Sequence, residues 1–194
     1  MKKTLSVLLI LSLLICPLFC GCSSGADTKA AATVTITDHL DQSVTLPSDI
    51  SRIAVCDILP LPSVIAAFFN SADKIVAMSP ASMTAAKNSV LSQIYPEILN
   101  ADTGAIDGTE VNVEELLKLD PQVVFYNAAS KELGKTLTKS GFNAVAVAVD
   151  KWDYNPVQTL NEWIALFSQI FPDSAGERAQ KLAKYSEDKA AFVK

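Results

Sequence analysis

Residues 111–125 read VNVEELLKLDPQVVF and combine, in order, the signals of a helix start, a turn and a buried strand. Asn112 is a residue type that caps helix N-termini, and Glu115 stands three positions later, which is the spacing of a capping box. The leucines of residues 116–119 then supply an apolar face. Pro121 ends the helix, and the apolar run after it suits a strand that is buried on both faces.

Short apolar runs of the same kind recur at residues 52–55, 74–77 and 143–149. Runs of this length and composition are typical of strands in a parallel sheet, whose two faces are both covered by helices. Residues 33–37 and 43–46 differ, because they alternate strictly between apolar and polar side chains. They predict an antiparallel hairpin with one wet face and a turn at residues 38–42.

Helical segments separate the apolar runs. Residues 62–69 and 130–140 are predicted helices, the second starting on Ser130 as a cap and ending at Gly141. Asn155 is the predicted cap of an amphipathic helix that ends at Pro172, and a further charged helix runs from residue 175 to the end of the sequence. The fold class is therefore α/β, a mostly parallel sheet flanked by helices, with an N-terminal hairpin and a long C-terminal helix.

The first 22 residues predict an export signal with a lipid attachment site. Two lysines precede an apolar run at residues 5–19, which is shorter than a membrane span, and Gly21 then precedes Cys22. A small residue before a cysteine is what lipoprotein processing requires. We expect cleavage after residue 21, lipidation of Cys22, a flexible tether at residues 22–32, and an extracytoplasmic location on the membrane. The alternatives are an ordinary secretory signal or an uncleaved anchor.

Composition excludes two classes of protein. The net charge is −5 for the full sequence and −7 without residues 1–21, whereas nucleic-acid binding needs clustered Lys and Arg. After processing, Cys56 is the one remaining thiol besides the lipidated Cys22, so a framework of disulfides is excluded. Cys56 and His39 are the candidates for direct metal ligands beside carboxylates. We expect His39 to be exposed in the hairpin turn and Cys56 to lie in the core, and we predict no metal site.

The segment at residues 111–125 resembles the signature of the class III substrate-binding proteins of ABC importers, and the hairpin at residues 34–47 and the run at 52–55 resemble two further parts of that family. The family has two α/β lobes joined by a long helix, with the ligand between them. The resemblance implies an N-terminal lobe at residues 33–172 and the start of the interlobe helix at 173–194, with the second lobe missing. It also implies a permease and its ATPase as partners, and iron–siderophore, haem, cobalamin or a similar metal chelate as cargo.

In a parallel sheet, ligands meet the loops that follow the carboxyl ends of the strands. This rule selects nine candidate ligand contacts. They are Asp57, Leu59, Pro60, Ser79, Pro80, Tyr126, Asn127, Lys151 and Trp152. For three of them a structural role is the alternative: Asp57 as the cap of the next helix, Tyr126 as a core residue, and Trp152 as a cover for the following helix.

Glu114 matches the acidic residue that the family presents to an arginine of the permease. Its exposed charge would steer docking to the permease. The structural alternative is that Glu114 is a first-turn glutamate that the helix dipole favours.

The sequence predicts a monomeric binding protein rather than an enzyme. No phosphate-binding loop, nucleophile elbow or dinucleotide fingerprint is present, and the single histidine lies in a segment unsuited to a catalytic triad. We expect no cofactor apart from the lipid on Cys22. The competing functions are an extracytoplasmic α/β enzyme and a surface lipoprotein with another role.

Overall fold

The computed structural model describes residues 32–174 and 176–192, so Cys22 and the predicted signal and tether lie outside the described residues, apart from Ala32. The strands are β1 (Thr33–Thr37), β2 (Ser43–Pro47), β3 (Ile53–Val55), β4 (Ile75–Met78), β5 (Ile106–Asp107), β6 (Glu110–Val111), β7 (Val123–Asn127) and β8 (Ala144–Val147). The helices are α1 (Leu61–Phe69), α2 (Pro80–Lys87), α3 (Leu91–Ile94), α4 (Val113–Lys118), α5 (Lys131–Lys139), α6 (Pro156–Ile170) and α7 (Glu177–Phe192), with a 3₁₀ helix at Pro96–Asn100.

The central sheet has the strand order β4-β3-β7-β8, and all its pairs are parallel. Successive side chains of each strand enter opposite cores because the strand period is two. Val55 and Phe125 lie in the core beneath α1 and α6, whereas Val124 and Ala146 lie in a second core with Leu116 of α4. The predicted parallel sheet with helices on both faces is confirmed.

The N-terminal hairpin pairs β1 with β2 and buries one face, where Ile36 and Leu46 are almost fully enclosed. The other face is wet and carries a hydrogen bond between the hydroxyls of Thr35 and Thr45. The turn is organised by Asp38, whose Oδ1 accepts hydrogen bonds from the amides of Leu40 and Gln42, at 2.9 Å each. The strict alternation in the sequence thus predicted this element correctly.

The same turn covers the open edge of β8. The His39 amide donates to the Ala146 carbonyl at 3.1 Å, and the Ala146 amide donates to Asp38 Oδ2 at 3.2 Å. The Ala148 amide donates to His39 Nδ1 at 3.0 Å. An uncovered edge strand invites pairing with other chains, and these bonds occupy that edge. Our expectation that His39 is exposed is wrong, since the ring is half-buried where it accepts this bond.

The helix termini confirm some of the local predictions and correct others. Asn155 caps α6 by accepting from the amides of Val157 and Gln158. Asn112 caps α4 by accepting from the Glu115 amide, but the return bond of a capping box is missing. In a capping box the Asn112 backbone amide would donate to the Glu115 carboxylate. Here that amide donates to the Ala105 carbonyl instead, and the Glu115 carboxylate pairs with Lys118 at 2.7 Å.

Ser130 also departs from the prediction. It stands at the N-cap position of α5, but its side chain accepts no capping hydrogen bond. Its hydroxyl donates to Asp57 Oδ2 at 2.5 Å, because a carboxylate from another loop lies within reach. At the other end of α5, Gly141 has φ of +88°, as a glycine that follows a helix end commonly does.

Helix α7 begins at Glu177 and packs along α1 and α6. Arg178 Nε donates to the Ala67 carbonyl at 2.8 Å, and Ala179 and Leu182 contact the core beneath α1. Within the described part of the chain, no helix is long and apolar enough to cross a membrane. The boundary between a lobe ending at 172 and an interlobe helix remains a prediction.

Candidate functional site at the carboxyl edge of the sheet

The parallel order of the sheet brings four loops together along one edge. We name them loop 1 (residues 56–60, after β3), loop 2 (79–80, after β4), loop 3 (128–130, after β7) and loop 4 (148–155, after β8). The strand order places them in the sequence 2, 1, 3, 4 along the edge. This edge is where open parallel sheets bind their ligands.

Asp57 joins loop 1 to loop 3. Its Oδ1 accepts from the Asn127 amide at 2.9 Å, and its Oδ2 accepts from the Ser130 hydroxyl. Its backbone has φ of +45°, a left-handed conformation that is uncommon for a residue with a side chain. The two hydrogen bonds hold it there. Asp57 does not cap α1, whose N-cap is Pro60 with no side-chain hydrogen bond, so that alternative is wrong.

Loops 1 and 2 are joined through Ser82 of α2, whose amide donates to Ser79 Oγ and whose hydroxyl donates to the Leu59 carbonyl, at 3.2 Å each. Ser79 caps α2 by accepting from the Ser82 amide and is only 4% exposed, so its side chain is occupied by the fold. Pro60 and Pro80 are exposed, and Leu59 is 52% exposed. The exposed side chains of these two loops are therefore apolar, and Asp57 is the one polar side chain there that is partly accessible.

Loops 3 and 4 meet the hairpin turn around a cavity of about 320 Å³. It is lined by turn residues 39–41, by Ala128 and Ala129, and by Ala148, Asp150 and Lys151. Lys151 Nζ donates to the His39 carbonyl at 3.0 Å and lies 3.5 Å from the Asp41 carboxylate. The sequence does not predict His39 as a site residue, because nothing in it shows that the turn reaches β8.

Trp152 and Asn127 complete the polar and aromatic surface of this edge. The Trp152 ring is half-buried and meets the His39 imidazole edge-on, with ring centres 5.0 Å apart. The partner of the Trp152 ring in this contact is thus the hairpin turn, whereas the structural alternative predicted that the ring covers the following helix. Asn127 is also half-buried, and its Oδ1 accepts from the Ala129 amide at 3.0 Å. Both side chains keep some accessible surface near the loops.

Tyr126 is the candidate that lies apart from the others. It is 5% exposed and belongs to the core on the α5 side of the sheet. The end of its ring lies against Gly134 of α5 rather than among the loops. Burial raises the pKa of its phenol, and the charge of Asp38 adds to this rise. The hydroxyl therefore stays protonated at neutral pH.

Cys56 is fully buried, as the sequence predicts for a core residue. Burial and the neighbouring Asp57 charge raise the pKa of its thiol to about 12. Metal binding needs the thiolate, which is scarce here at neutral pH. Among the described residues, no three His, Cys, Asp or Glu side chains converge in a way that could hold a metal ion.

The stability of the protein should fall in mildly acidic solution because of His39. Burial, and next the Lys151 charge, lower its pKa below the ordinary 6.5, so the neutral ring is the folded form. The contribution of neutral His39 to the free energy of unfolding is complete above about pH 6.5, the pKa of the unfolded chain. It is lost as the pH falls through the lower pKa that His39 has in the folded protein. We expect the urea midpoint to decrease between pH 7 and 5. His39→Asn keeps a hydrogen-bond acceptor but removes the titrating group, so the urea midpoint of this variant should change less with pH. The same dependence of the midpoint on pH as in the wild type would show that His39 is not its cause.

Glu114 is exposed in the first turn of α4, directly after the Asn112 cap. Its carboxylate has no hydrogen-bond or ion-pair partner among residues 32–174 and 176–192, whereas neighbouring Glu115 is paired with Lys118. This placement suits both a dipole-favoured glutamate and a charge presented to a partner.

Comparison with known proteins gives a consistent group of relatives. No family model matches the chain. The molybdate-binding protein MolA of Haemophilus influenzae is 30% identical over 168 residues, which cover 86% of this chain and 46% of MolA. Its molybdate-bound structure superposes with a TM-score of 0.63 at 27% identity, over 77% of this chain and 49% of that chain.

Two further solved structures share the fold. A periplasmic solute-binding protein of Veillonella parvula is 28% identical with a TM-score of 0.73, covering 83% of this chain and 47% of that one. The haem-binding protein HmuT is 20% identical with a TM-score of 0.59, covering 84% and 49%, a likeness that shows the fold alone. These neighbours are periplasmic binding proteins of ABC transporters with the class III type of fold. The chain spans about half the length of these relatives, as one lobe does.

Proposed function

Because the chain shares its fold with one lobe of the class III periplasmic binding proteins of ABC transporters, we propose that it is the N-terminal lobe of a substrate-binding protein. The observation that carries the proposal is the joining of loops 1, 2 and 3 into one surface by Asp57 and Ser82. Because these loops are already ordered, less conformational entropy is lost when a ligand binds to them. The cargo would pass to a membrane permease driven by its ATPase, and the neighbours are solute-binding proteins rather than enzymes.

For the cargo, we favour a metal chelate with an organic shell. The exposed side chains of loops 1 and 2 are apolar, and Trp152 offers an aromatic face. The charged groups of Asp57 and Lys151 already form hydrogen bonds within the protein. Such a surface suits apolar contact with a chelator. The second candidate is an oxyanion, which the relationship to molybdate-binding MolA favours.

Ligand-induced change in tryptophan fluorescence separates these candidates. The chain has two tryptophans, and Trp163 is buried with its Nε1 bonded to the Ala148 carbonyl. A full-length protein should respond to a ferric siderophore, haem or cobalamin through Trp152, and Trp152→Phe should remove that response. Saturable binding of molybdate alone would select the oxyanion. No binding of any of these ligands, together with turnover of a substrate, would favour the enzyme alternative.

We propose that the protein is held on the outer side of the cytoplasmic membrane by a lipid on Cys22. The supporting observation is the sequence pattern around Gly21 and Cys22. Metabolic labelling with a fatty-acid analogue should mark the wild type and leave Cys22→Ala unlabelled. Labelling of both proteins, or of neither, would reject this attachment.

Glu114→Ala should leave ligand affinity unchanged and impair uptake. Loss of one exposed docking charge is expected to lower uptake about tenfold, which corresponds to about 1.4 kcal/mol of docking energy. Transport assays in cells and ligand titration of the purified protein measure the two effects separately. Glu110→Ala is the matched control, since Glu110 is also exposed and lies nearby in the sequence. Equal loss of affinity and uptake in Glu114→Ala would indicate a folding role instead.

A further inference from the structure

A cavity of about 530 Å³ lies between the hairpin turn and α5. Its walls include Leu40 and Gln42 of the turn, the Tyr126 side chain, and the face of α5 that carries Lys131, Lys135 and Lys139. We call it the lysine pocket. Leu40 is the one lining residue that it shares with the cavity between loops 3 and 4 and the hairpin turn. The lysine pocket is therefore distinct from the proposed cargo surface.

The three lysines form a single row. Residues four apart lie on the same side of a helix, and this row extends over about 12 Å. Lys135 is paired with Glu132 at 2.7 Å, and the Lys139 charge also acts on Glu132 from a longer distance, but neither Lys131 nor Lys139 has a carboxylate oxygen of a described residue within 4.0 Å. Like charges at this spacing repel one another. A concentration of positive charge in a protein of net charge −5 is therefore suited to an anionic ligand.

Tyr126 gives an independent indication of a ligand. Its side chain is 5% exposed, lines the lysine pocket, and its hydroxyl has no hydrogen-bond partner in the described ranges. The hydroxyl oxygen is not one of the fully enclosed unpartnered polar atoms of the described residues, so it opens to the pocket and can donate a hydrogen bond there. A Cβ on residue 134 would lie 2.4 Å from Tyr126 Cζ, so Gly134 leaves the space that lets the phenol reach this wall.

We propose that the lysine pocket binds a small molecule carrying a phosphate group. The ammonium groups of Lys131 and Lys139 neutralise the phosphate charge, and the Tyr126 hydroxyl donates a hydrogen bond to one of its oxygens. Leu40 and the Tyr126 ring contact the remainder of the molecule. The phosphate belongs either to a free phosphate ester or to a phospholipid headgroup, which present the same chemistry to the pocket.

Titration of the full chain with inorganic phosphate and with glycerol 3-phosphate, followed by amide NMR shifts, tests the pocket. We expect saturable shifts confined to α5 and residues 38–42. Tyr126→Phe, which retains the ring, should weaken binding about tenfold, the effect of one hydrogen bond to a charged group. Lys131→Gln with Lys139→Gln should abolish it. Lys87→Gln with Lys118→Gln, two exposed lysines elsewhere, is the matched control and should change nothing.

A second arm distinguishes the sources of phosphate. Vesicles of phosphatidylglycerol should bind the full chain more strongly than those of phosphatidylcholine if the ligand is a headgroup, and the pocket variants should lose that difference. Binding of glycerol 3-phosphate without a vesicle difference assigns a free ester. Absence of binding to both, or equal loss in the control lysine variants, would overturn the proposal, provided circular dichroism shows the variants folded.

Discussion

Replacing Asp38 by alanine is expected to lower the free energy of unfolding by about 3 kcal/mol. The side chain is 3% exposed and accepts three backbone hydrogen bonds, from Leu40, Gln42 and Ala146. Removal of the carboxylate leaves these amides without an acceptor, two of them partly buried and that of Ala146 buried. Hydrogen bonds to a charged acceptor exceed the usual contribution, so the loss is large for one residue. Urea unfolding followed by tryptophan fluorescence measures it.

Asp38→Asn separates the two roles of this side chain. The amide oxygen can still accept from Leu40 and Gln42, but the amide nitrogen would face the Ala146 donor. The turn should therefore form while its link to β8 is lost, with a cost of about half that of alanine. Hydrogen exchange at Ala146 should accelerate in both variants. Asp41→Asn is the control in the same turn, since Asp41 is exposed and Asn tolerates its φ of +60°. Stability of Asp38→Ala within 0.5 kcal/mol of the wild type would contradict this account.

Local signals in the sequence predicted the elements whose causes are local. The alternation at Ile36 and Leu46, the Asn155 cap and the glycine stop at Gly141 each act within a few residues, and the structure contains each of them. The parallel sheet followed from continuous apolar runs, which only a sheet covered on both faces can bury. The short pairing of β5 with β6 was missed, because two-residue strands carry no period.

Contacts between distant residues explain what the sequence did not predict. Ser130 was a plausible cap, yet Asp57, 73 positions earlier, takes its hydroxyl. His39 was expected in solvent, yet it binds the Ala148 amide 109 positions later. The carboxyl edge of the sheet could be predicted as the ligand site because strand direction determines where that edge lies. Which side chains remain accessible there depends on hydrogen bonds between residues that are distant in the sequence. Asp57 and Lys151 therefore have structural partners that their sequence context does not reveal.

Gly134→Ala is the second change for which we expect a large effect, and its sign is unusual. In an exposed helix interior, alanine is favoured over glycine by about 1 kcal/mol. Here the new Cβ would lie 2.4–2.5 Å from the Cζ, Cε2 and hydroxyl of Tyr126, so the ring or the helix must move. We expect destabilisation of about 2 kcal/mol, in the range of overpacked cores.

The cause of that destabilisation can be tested by a double-mutant cycle. Tyr126→Leu removes the colliding atoms, so Gly134→Ala should cost little or become favourable in that background, with a coupling energy of about 2 kcal/mol between the two sites. Tyr126→Phe retains Cζ and should rescue little. Gly104→Ala is the control, because its Cβ would come no closer than 3.8 Å to the Asp102 carboxylate. If Gly134→Ala raised the urea midpoint, the ring could not be held against the helix as described, and the open wall of the lysine pocket would lose its explanation.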